Sequence, residues 1–493
     1  MGSLCSKPGE TVGSAKNPHL PSKKSGVLIK GDIFVQENQL SFLEVYKLHE
    51  KPLGSGAYGE VWLCTHLTTG EVRAVKILLK EGMPVEEIEN RSVLEEVEIL
   101  KKLDHPNILK VYEYFEDSVK YYIVMEFCRN GDVFGKLEKI GHFSEYLAAA
   151  VVRQLLSALT YLHSKGIIHR DIKAENLLLS DSEGKEDINI KLIDFNIATS
   201  KKAGLEAHGT LDYMAPEVFA GGYDEKCDVW GVGVLLYSLI SGVLPFGEET
   251  EEETEESIKK KKPSFEHPNL KTAPKPLKNL ISRLLEKNPK KRPSAAQALE
   301  DEWIQSFSNT LGDTTEYKKT LTRLKTYCKE GTLKQIFSTF IITQLSKTTY
   351  ARKMEKVFTS IDRNKDGVIS KAELLSALKS EMSAEEAEAQ VSKIMECVNL
   401  DEEGNLNYTE FVRISSEEEV LLSKENIRKA FSFFDRDGSG SIEKTELAAW
   451  LSSGGIIPDE VVNDLINEAD ENDDGSIDRE EFERILLSKL ELD

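Results

Sequence analysis

The sequence has no Cys-x-x-Cys pair. Its six cysteines, Cys5, Cys64, Cys128, Cys227, Cys328 and Cys397, stand far apart. This excludes a disulfide framework or a zinc site built on paired thiols, and a reducing, intracellular setting is expected. No apolar run reaches the ~18 residues that a membrane-spanning helix needs, so nothing is expected to cross a bilayer. No secretory leader is visible. Basic charge is scarce, with 63 Lys and Arg against 85 Asp and Glu. Nucleic acid is therefore not expected as a partner.

What is present is a long, ordinary globular composition. The 493 residues are 40% hydrophobic and 30% charged, which suits two or three domains. The acidity is uneven. Residues 351–493 hold 17 Lys and Arg against 35 Asp and Glu, so −18 of the net −22 lies in the C-terminal third. That concentration points to cation binding there.

The most informative stretch is His169-Arg170-Asp171-Ile172-Lys173-Ala174-Glu175-Asn176, followed eighteen residues after Asn176 by Asp194-Phe195-Asn196. It offers two carboxylates, an amide and a cation around one transfer site. Asp171 is suited to accept the proton of an attacking hydroxyl. Asn176 and Asp194 are oxygen ligands suited to Mg2+. Lys173 can neutralise charge on a migrating phosphoryl group. The order and spacing resemble the catalytic loop and metal-binding turn of protein kinases.

Upstream, Gly54-Ser55-Gly56-Ala57-Tyr58-Gly59-Glu60-Val61 is followed by a strand-like run, Val61 to Cys64, where a dinucleotide-binding fingerprint would have a helix. A second strand, Arg73 to Ile77, carries Lys76. This is the kinase arrangement of a hairpin lid over the phosphates with a lysine reaching them. A helix is expected from Glu86 to Leu103, with Val93, Val97, Leu100 and Leu103 on one face. By the kinase resemblance, Glu96 holds Lys76, whereas Glu95 and Glu98 are solvated. The same resemblance makes Leu53, Gly54, Ser55, Gly56, Gly59, Val61 and Ala74 nucleotide-binding positions. Tyr121 to Met125 reads as a buried strand. Met125 then walls the back of the adenine pocket, and Glu126 and Cys128 belong to the interlobe hinge. Asp132 falls where related kinases contact ribose or a basic substrate residue.

Leu147 to Lys165 is a long apolar-faced helix leading into the catalytic loop. Ala215-Pro216-Glu217 closes the activation segment, and Gly209-Thr210 with Lys173 favours Ser or Thr as acceptor. Glu206 stands where many kinases carry a phosphorylated threonine, and its fixed charge is expected to pair with Arg170. Asp228 and Arg292 match structural positions, the latter pairing with Glu217. The acidic run Glu248 to Glu256 is expected to be a solvated loop.

After Trp303-Ile304 comes a junction. Leu321, Leu324 and Cys328 make one helical stripe, flanked by Lys318, Lys319, Arg323, Lys325 and Lys329. Leu333, Ile336, Phe337, Phe340, Ile341 and Leu345 make a second. A basic amphipathic helix resembles a calmodulin target.

Four repeats follow, starting at Asp362, Asn399, Asp435 and Asp470, spaced 37, 36 and 35 residues apart. Each has Gly at position 6 and Glu at position 12, the EF-hand pattern. The expected calcium ligands are Asp362, Asn364, Asp366, Val368 and Glu373 in the first loop. In the second they are Asn399, Asp401, Glu403, Asn405 and Glu410. The third offers Asp435, Asp437, Ser439, Ser441 and Glu446, and the fourth Asp470, Asn472, Asp474, Ser476 and Glu481. The second loop departs from the pattern: Asn399 replaces the leading Asp and the longer Glu403 sits at position 5, so it is expected to be the weak site.

At the other end, Met1-Gly2-Ser3-Leu4-Cys5-Ser6 matches the pattern for N-myristoylation on Gly2. Cys5 can take a palmitoyl group, and Lys7, Lys16, Lys23, Lys24 and Lys30 make the segment basic. Stable anchoring needs two such signals, so a peripheral membrane location facing the cytoplasm is expected.

The chain from about residue 42 onward resembles the calcium-dependent protein kinase family. The resemblance implies a two-lobed α+β kinase fold followed by an all-α, calmodulin-like EF-hand domain. The expected division is 1–41 flexible and acylated, 42–304 kinase (lobes 42–127 and 128–304), 305–347 autoinhibitory junction, and 348–493 calmodulin-like. It implies ATP, Mg2+ and Ca2+ as cofactors, protein Ser/Thr substrates near basic residues, and a junction helix captured by the EF-hands when calcium binds. Asn196 replaces the usual Gly after Asp-Phe; Asn tolerates left-handed backbone, so the turn is expected to survive. A calcium-sensing pseudokinase scaffold is the alternative, resting on Asn196 alone. A calcium buffer with a vestigial front end is another, and intact Lys76, Asp171 and Asp194 speak against both.

Overall fold

The computed structural model describes residues 35–38, 40–56, 59–81, 83–91, 94–180, 188–196, 198, 209–222, 224–307, 314–327, 330–345, 348–401, 403–451 and 459–487. The expected acylation sites Gly2 and Cys5, and also Glu206, Cys328 and Lys329, lie outside the described residues.

Six strands form the first sheet: β1 (Gln36–Glu37), β2 (Tyr46–Gly56), β3 (Gly59–His66), β4 (Val72–Leu79), β5 (Val111–Glu116) and β6 (Lys120–Met125). Their order is β1-β5-β6-β4-β3-β2. β1 runs parallel to β5, and every other neighbouring pair is antiparallel. The period-2 pattern of apolar residues drives this: Val75, Ile77, Tyr121, Ile123 and Val124 are buried between the sheet and its cover. Gly59 sits where the hairpin folds onto β4. A Cβ there would lie 1.9 Å from the Ile77 carbonyl oxygen, so only glycine fits.

The single helix expected from Glu86 to Leu103 is two helices, Val85–Glu89 and Glu95–Leu100. The break falls at Arg91, whose φ of 52° is left-handed. Its guanidinium pairs with Glu37 on β1 and Glu116 on β5. Tertiary ion pairs therefore override the helical periodicity of the segment.

The second lobe is built around two buried helices, Glu145–Ser164 and Lys226–Ser241. Ser144 caps the first by accepting from the Leu147 N–H. A short hairpin, β7 (Leu177–Leu179) with β8 (Ile190–Leu192), carries the catalytic loop on one side and the metal-binding turn on the other. The acidic run expected to be a loop is mostly a helix, Glu251–Lys260, capped by Thr250. Its first-turn glutamates and last-turn lysines complement the helix dipole, and Lys259 and Lys260 pair with Glu255 and Glu256.

Among the described residues, the regular structure of the C-terminal region is helical apart from one short ribbon and one isolated bridge. Helix Thr314–Thr326 is followed by Thr332–Phe340, a π-turn at Ile341–Leu345, and helix Thr348–Ile361. The repeats then alternate helix and loop: Lys371–Leu378, Ala384–Cys397, Tyr408–Ser415, Lys424–Phe434, Lys444–Leu451, Asp459–Ala469 and Arg479–Leu487. Loops pair two by two. Ile369 bridges Leu406, and β9 (Ser441–Glu443) pairs with β10 (Ser476–Asp478). Among the described residues no helix is long and apolar enough to cross a membrane.

The helical region is docked against both kinase lobes. Asp104 accepts from the N–H and hydroxyl of Thr409 at 2.8 and 2.9 Å. Glu355 accepts from Asn107 and Asn189 at 3.1 Å each. Lys429 reaches Glu71 at 2.7 Å. Gly367, at φ 80°, lies so close that a Cβ would come within 2.9 Å of both Tyr161 and His105. The same glycine thus serves the loop turn and the domain contact.

Candidate active site and calcium loops

The register of the sheet brings the nucleotide-lid residues together. Val61 is opposite Lys76, Leu63 opposite Ala74, and Ala74 in turn opposite Met125. Leu53 and Ser55 lie exposed on the lid, and a Cβ built on Gly54 meets nothing within 4 Å. Gly56 ends β2, opposite Gly59. At the hinge, the Glu126 N–H donates to the Lys110 carbonyl at 2.9 Å, and its carboxylate pairs with Lys191 at 3.0 Å. Cys128 is buried. Asp132 accepts from the Gly135 N–H at 2.7 Å and caps helix Val133–Ile140.

Lys76 Nζ stands 2.8 Å from Glu96 Oε2. The other oxygen of Glu96 accepts from the Phe195 N–H at 3.2 Å. One buried carboxylate therefore fixes both the lysine and the turn after Asp194. Phe195 is itself buried against the His169 ring, with centroids 4.8 Å apart.

Asp171 is surrounded by donors. Lys173 Nζ lies at 2.7 Å, Asn176 Nδ2 at 2.9 Å and the Thr210 hydroxyl at 3.0 Å. Burial disfavours charge on Asp171, but the Lys173 ammonium, Asn176 and Thr210 outweigh it and hold the carboxyl below its usual range. An ionised carboxylate in this position can take a hydroxyl proton. The loop backbone is set by Asp228, which accepts from the His169 and Arg170 N–H groups at 3.0 and 2.8 Å. Arg292 holds Glu217 with two bonds, at 2.6 and 2.9 Å, as expected from the sequence.

The turn does not use left-handed backbone at Asn196. Among the described residues the strained positions near the site are instead Asp194, at φ 67°, and Arg170, at φ 71°. Asn196 uses its side chain: its amide nitrogen donates to Asp194, and its oxygen faces Lys76 Nζ at 3.4 Å. The asparagine thus links two site residues, which a glycine cannot do.

The residues fit the groups that the sequence implies. Asn176 commits its amide nitrogen to the Asp171 carbonyl and carboxylate at 2.8 and 2.9 Å, which leaves its amide oxygen as an acceptor suited to a cation. In the first EF-hand loop, Asp362 Oδ1 is buried with no hydrogen-bond partner, while Oδ2 accepts from the Gly367 N–H at 3.1 Å. Burial pushes the Asp362 carboxyl up to about 7. A buried orphan oxygen of this kind suits a bound cation. Glu373 accepts from Arg363 and Ser370 N–H groups, each at 2.9 Å. Asn364 and Asp366 are bonded to each other, and Val368 donates to Asp366. In the third loop Asp435, Asp437 and Glu446 bring oxygens within 4.8 Å of one another. Ser439 and Ser441 complete that turn through a 3.0 Å bond. In the fourth, Asp470 accepts from Gly475 at 2.8 Å, Asn472 and Ser476 bond to Asp474, and Glu481 accepts from Glu471 and Asp478. In the second, Asp401 accepts from the Glu403 and Asn405 N–H groups, and Asn399 donates to Glu410.

The junction residues lie inside the EF-hand domain. Helix Thr332–Phe340 is buried at every residue from Leu333 to Phe340. Phe337 packs on Phe434 and Phe482, and Phe340 on Phe433 and Phe434. In the preceding helix, Leu321 and Leu324 join the same core, while Arg323 pairs with Glu316 and Glu417 and Lys325 with Glu381.

Sequence reasoning missed the residues that join the parts: Asp104, Thr409, Glu355, Gln344 and Arg413. Arg413 and Thr409 flank the predicted ligand Glu410, so their position was the one available signal.

These two sites, a phosphotransfer centre and four paired helix–loop–helix units, define an EF-hand-regulated protein kinase. Residues 47–304 match the protein kinase domain model, and residues 351–416 and 424–487 match the EF-hand domain pair model. The chain is 35% identical to calcium-dependent protein kinase 4 of Plasmodium berghei over 93% of its length and 89% of the relative. It is 36% identical to calcium-dependent protein kinase 4 of Plasmodium falciparum, covering 94% and 90%. It is 33% identical to calcium-dependent protein kinase 8 of Arabidopsis thaliana, covering 99% and 93%. The chain belongs to the calcium-dependent protein kinase family and is a calcium-activated serine/threonine protein kinase. Its kinase domain implies ATP and Mg2+, and its EF-hands imply Ca2+.

Proposed function

We propose that the arrangement described is the activated one, in which the EF-hand domain has captured the junction and left the kinase competent. The observation that carries this is the coincidence of two states in one molecule. The junction helix is sequestered from Leu333 to Phe340, and Lys76 is closed on Glu96 at 2.8 Å. The pair must be in place for kinase turnover. Calcium favours this state by binding it more tightly than the inhibited one, since a ligand shifts an equilibrium only through differential affinity.

In this reading Asp171 accepts the proton of the substrate Ser or Thr hydroxyl, and Lys173 offsets charge on the group in transfer. Asn176 and Asp194 would hold Mg2+, and Lys76 would hold the ATP phosphates. Bound Mg2+ supplies neutralisation of the phosphate charge. Leu53, Val61, Ala74 and Met125 enclose the base, with the hinge at Glu126 and Cys128. The division into an acylated segment 1–41, kinase 42–304, junction 305–347 and EF-hand domain 348–493 belongs to the same proposal. So does attachment to a membrane through Gly2 and Cys5, and preference for acceptors near basic residues. A pseudokinase role is disfavoured because Lys76, Asp171 and Asp194 are all in place. The test is radiolabelled phosphotransfer to a basic Ser/Thr peptide with and without calcium. Strong calcium-dependent incorporation is expected, and equal low incorporation in both conditions contradicts the reading.

A further inference from the structure

The last glutamates of the four loops are not held alike. Glu373, Glu446 and Glu481 accept backbone N–H groups of their own loops, from Arg363, Arg436 and Glu471 among others. Glu410 is held by a guanidinium. Arg413 Nη2 donates to Glu410 Oε2 at 2.8 Å, and Arg413 Nε donates to the same oxygen at 3.2 Å. The two side chains are 1% and 3% exposed. The remaining nitrogen, Nη1, pairs with Glu330 and lies 3.4 Å from the Tyr327 hydroxyl. Tyr327 and Glu330 lie between the two junction helices in sequence. Asn399, the first residue of the second loop, donates to Glu410 through its N–H and its amide, each at 3.4 Å.

Both ends of the second loop thus converge on one carboxylate that already has a cation. An EF-hand needs both oxygens of its final glutamate for calcium. Drawing Glu410 away would leave a buried guanidinium short of a partner, which strongly opposes the change. The leading Asn399 also removes one carboxylate from the calcium side of the balance. Arg413 lies one turn after Glu410 on the helix Tyr408–Ser415, the spacing at which side chains meet.

We propose that Arg413 stands in for the cation of the second EF-hand, closing loop 399–410 without calcium and tying it to Tyr327 and Glu330 of the junction. The inference rests on the EF-hand reading of the repeats. It makes the second loop a permanent fastening, while the other three respond to calcium. Thr409, the loop residue just before Glu410, is the one that Asp104 of the kinase holds. In the described arrangement the kinase, the second loop and Tyr327 and Glu330 are therefore joined in series.

The test is hydrogen exchange and calorimetric calcium titration on the full chain, as wild type, Glu410→Gln and Arg413→Gln. In calcium-free wild type, the amides of loop 399–410 are expected to exchange at least ~10-fold more slowly than those of the other three loops, a difference in local opening. Arg413→Gln is expected to erase that difference. Wild type and Glu410→Gln are expected to bind the same number of calcium ions. If Arg413→Gln does not fold, wild type and Glu410→Gln decide the matter. Equal exchange in all four loops of calcium-free wild type overturns the proposal, as does loss of one bound calcium in Glu410→Gln. Failure of every loop to bind calcium sinks the EF-hand reading itself and the proposal with it.

Discussion

Arg73 and Gln344 meet inside the protein: the guanidinium donates to the Gln344 side-chain oxygen at 3.0 Å and to its backbone carbonyl at 3.3 Å. Arg73 lies on β4, the strand that carries Lys76, and also bonds Tyr46 and pairs with Glu113. Gln344 lies in the π-turn that follows the captured helix. Gln344 thus touches the strand that carries Lys76. Gln344→Ala removes the side-chain half of this contact, a loss of about 1–3 kcal/mol for a bond to a charged group. Maximal calcium-stimulated turnover is expected to fall several-fold, with calcium stoichiometry unchanged. Steady-state kinetics at saturating calcium check this.

Asp171 is the base in this account. Asp171→Ala is expected to lower kcat by ~100-fold or more, the usual share of a positioned acid–base group. Asp194→Ala is expected to abolish Mg2+-dependent turnover while leaving the thermal transition of the protein in place. Full activity in Asp194→Ala removes the mechanism.

Asn196 carries a different expectation. Its amide nitrogen occupies a lone pair of Asp194. Asn196→Gly frees that carboxylate and is expected to lower the Mg2+ concentration for half-maximal activity by a few-fold. A Mg2+ titration of peptide phosphorylation reads this out, and a higher Mg2+ requirement counts against the reading.

The loops are ranked by their ligands. Glu373→Gln and Glu481→Gln are expected to raise the calcium needed for half-activation by about tenfold or more, since ligand charge tunes EF-hand affinity over orders of magnitude. Glu410→Gln is expected to raise it less than either, because its carboxylate serves Arg413. If Glu410→Gln is the most damaging of the three, the ranking is wrong.

The sequence made the chemistry legible because phosphotransfer constrains residue type and spacing together. Lys76 meets Glu96, Asn176 meets Asp171, and the turn after Asp194 is held by Glu96. What was not legible depends on contacts between distant segments. The break at Arg91 comes from ion pairs to β1 and β5 across the sheet. The docking of Thr409 on Asp104 and of Glu355 on Asn107 joins residues hundreds of positions apart, and nothing in local periodicity marks them. The stripe from Leu333 to Leu345 was visible as apolar spacing. Its burial on all sides was not, because the polar residues Lys334, Gln335, Ser338 and Thr339 on the opposite face are buried too.

Phe337 tests what that burial does. It is fully buried between Phe434 and Phe482. Phe337→Ala removes about 3–5 kcal/mol of packing from the captured state. Calcium is expected still to bind the loops, more weakly, while stimulated activity drops by at least tenfold. Parallel calcium-binding and activity titrations separate the two effects.

The central claim is that calcium activates by seating the junction in the EF-hand domain. The most direct measurement is hydrogen exchange of residues 332–345 followed through a calcium titration, with kinase activity recorded on the same samples. The account predicts that protection of this segment and activity rise together, with one calcium midpoint. Protection that is already complete without calcium, in an inactive protein, would contradict it.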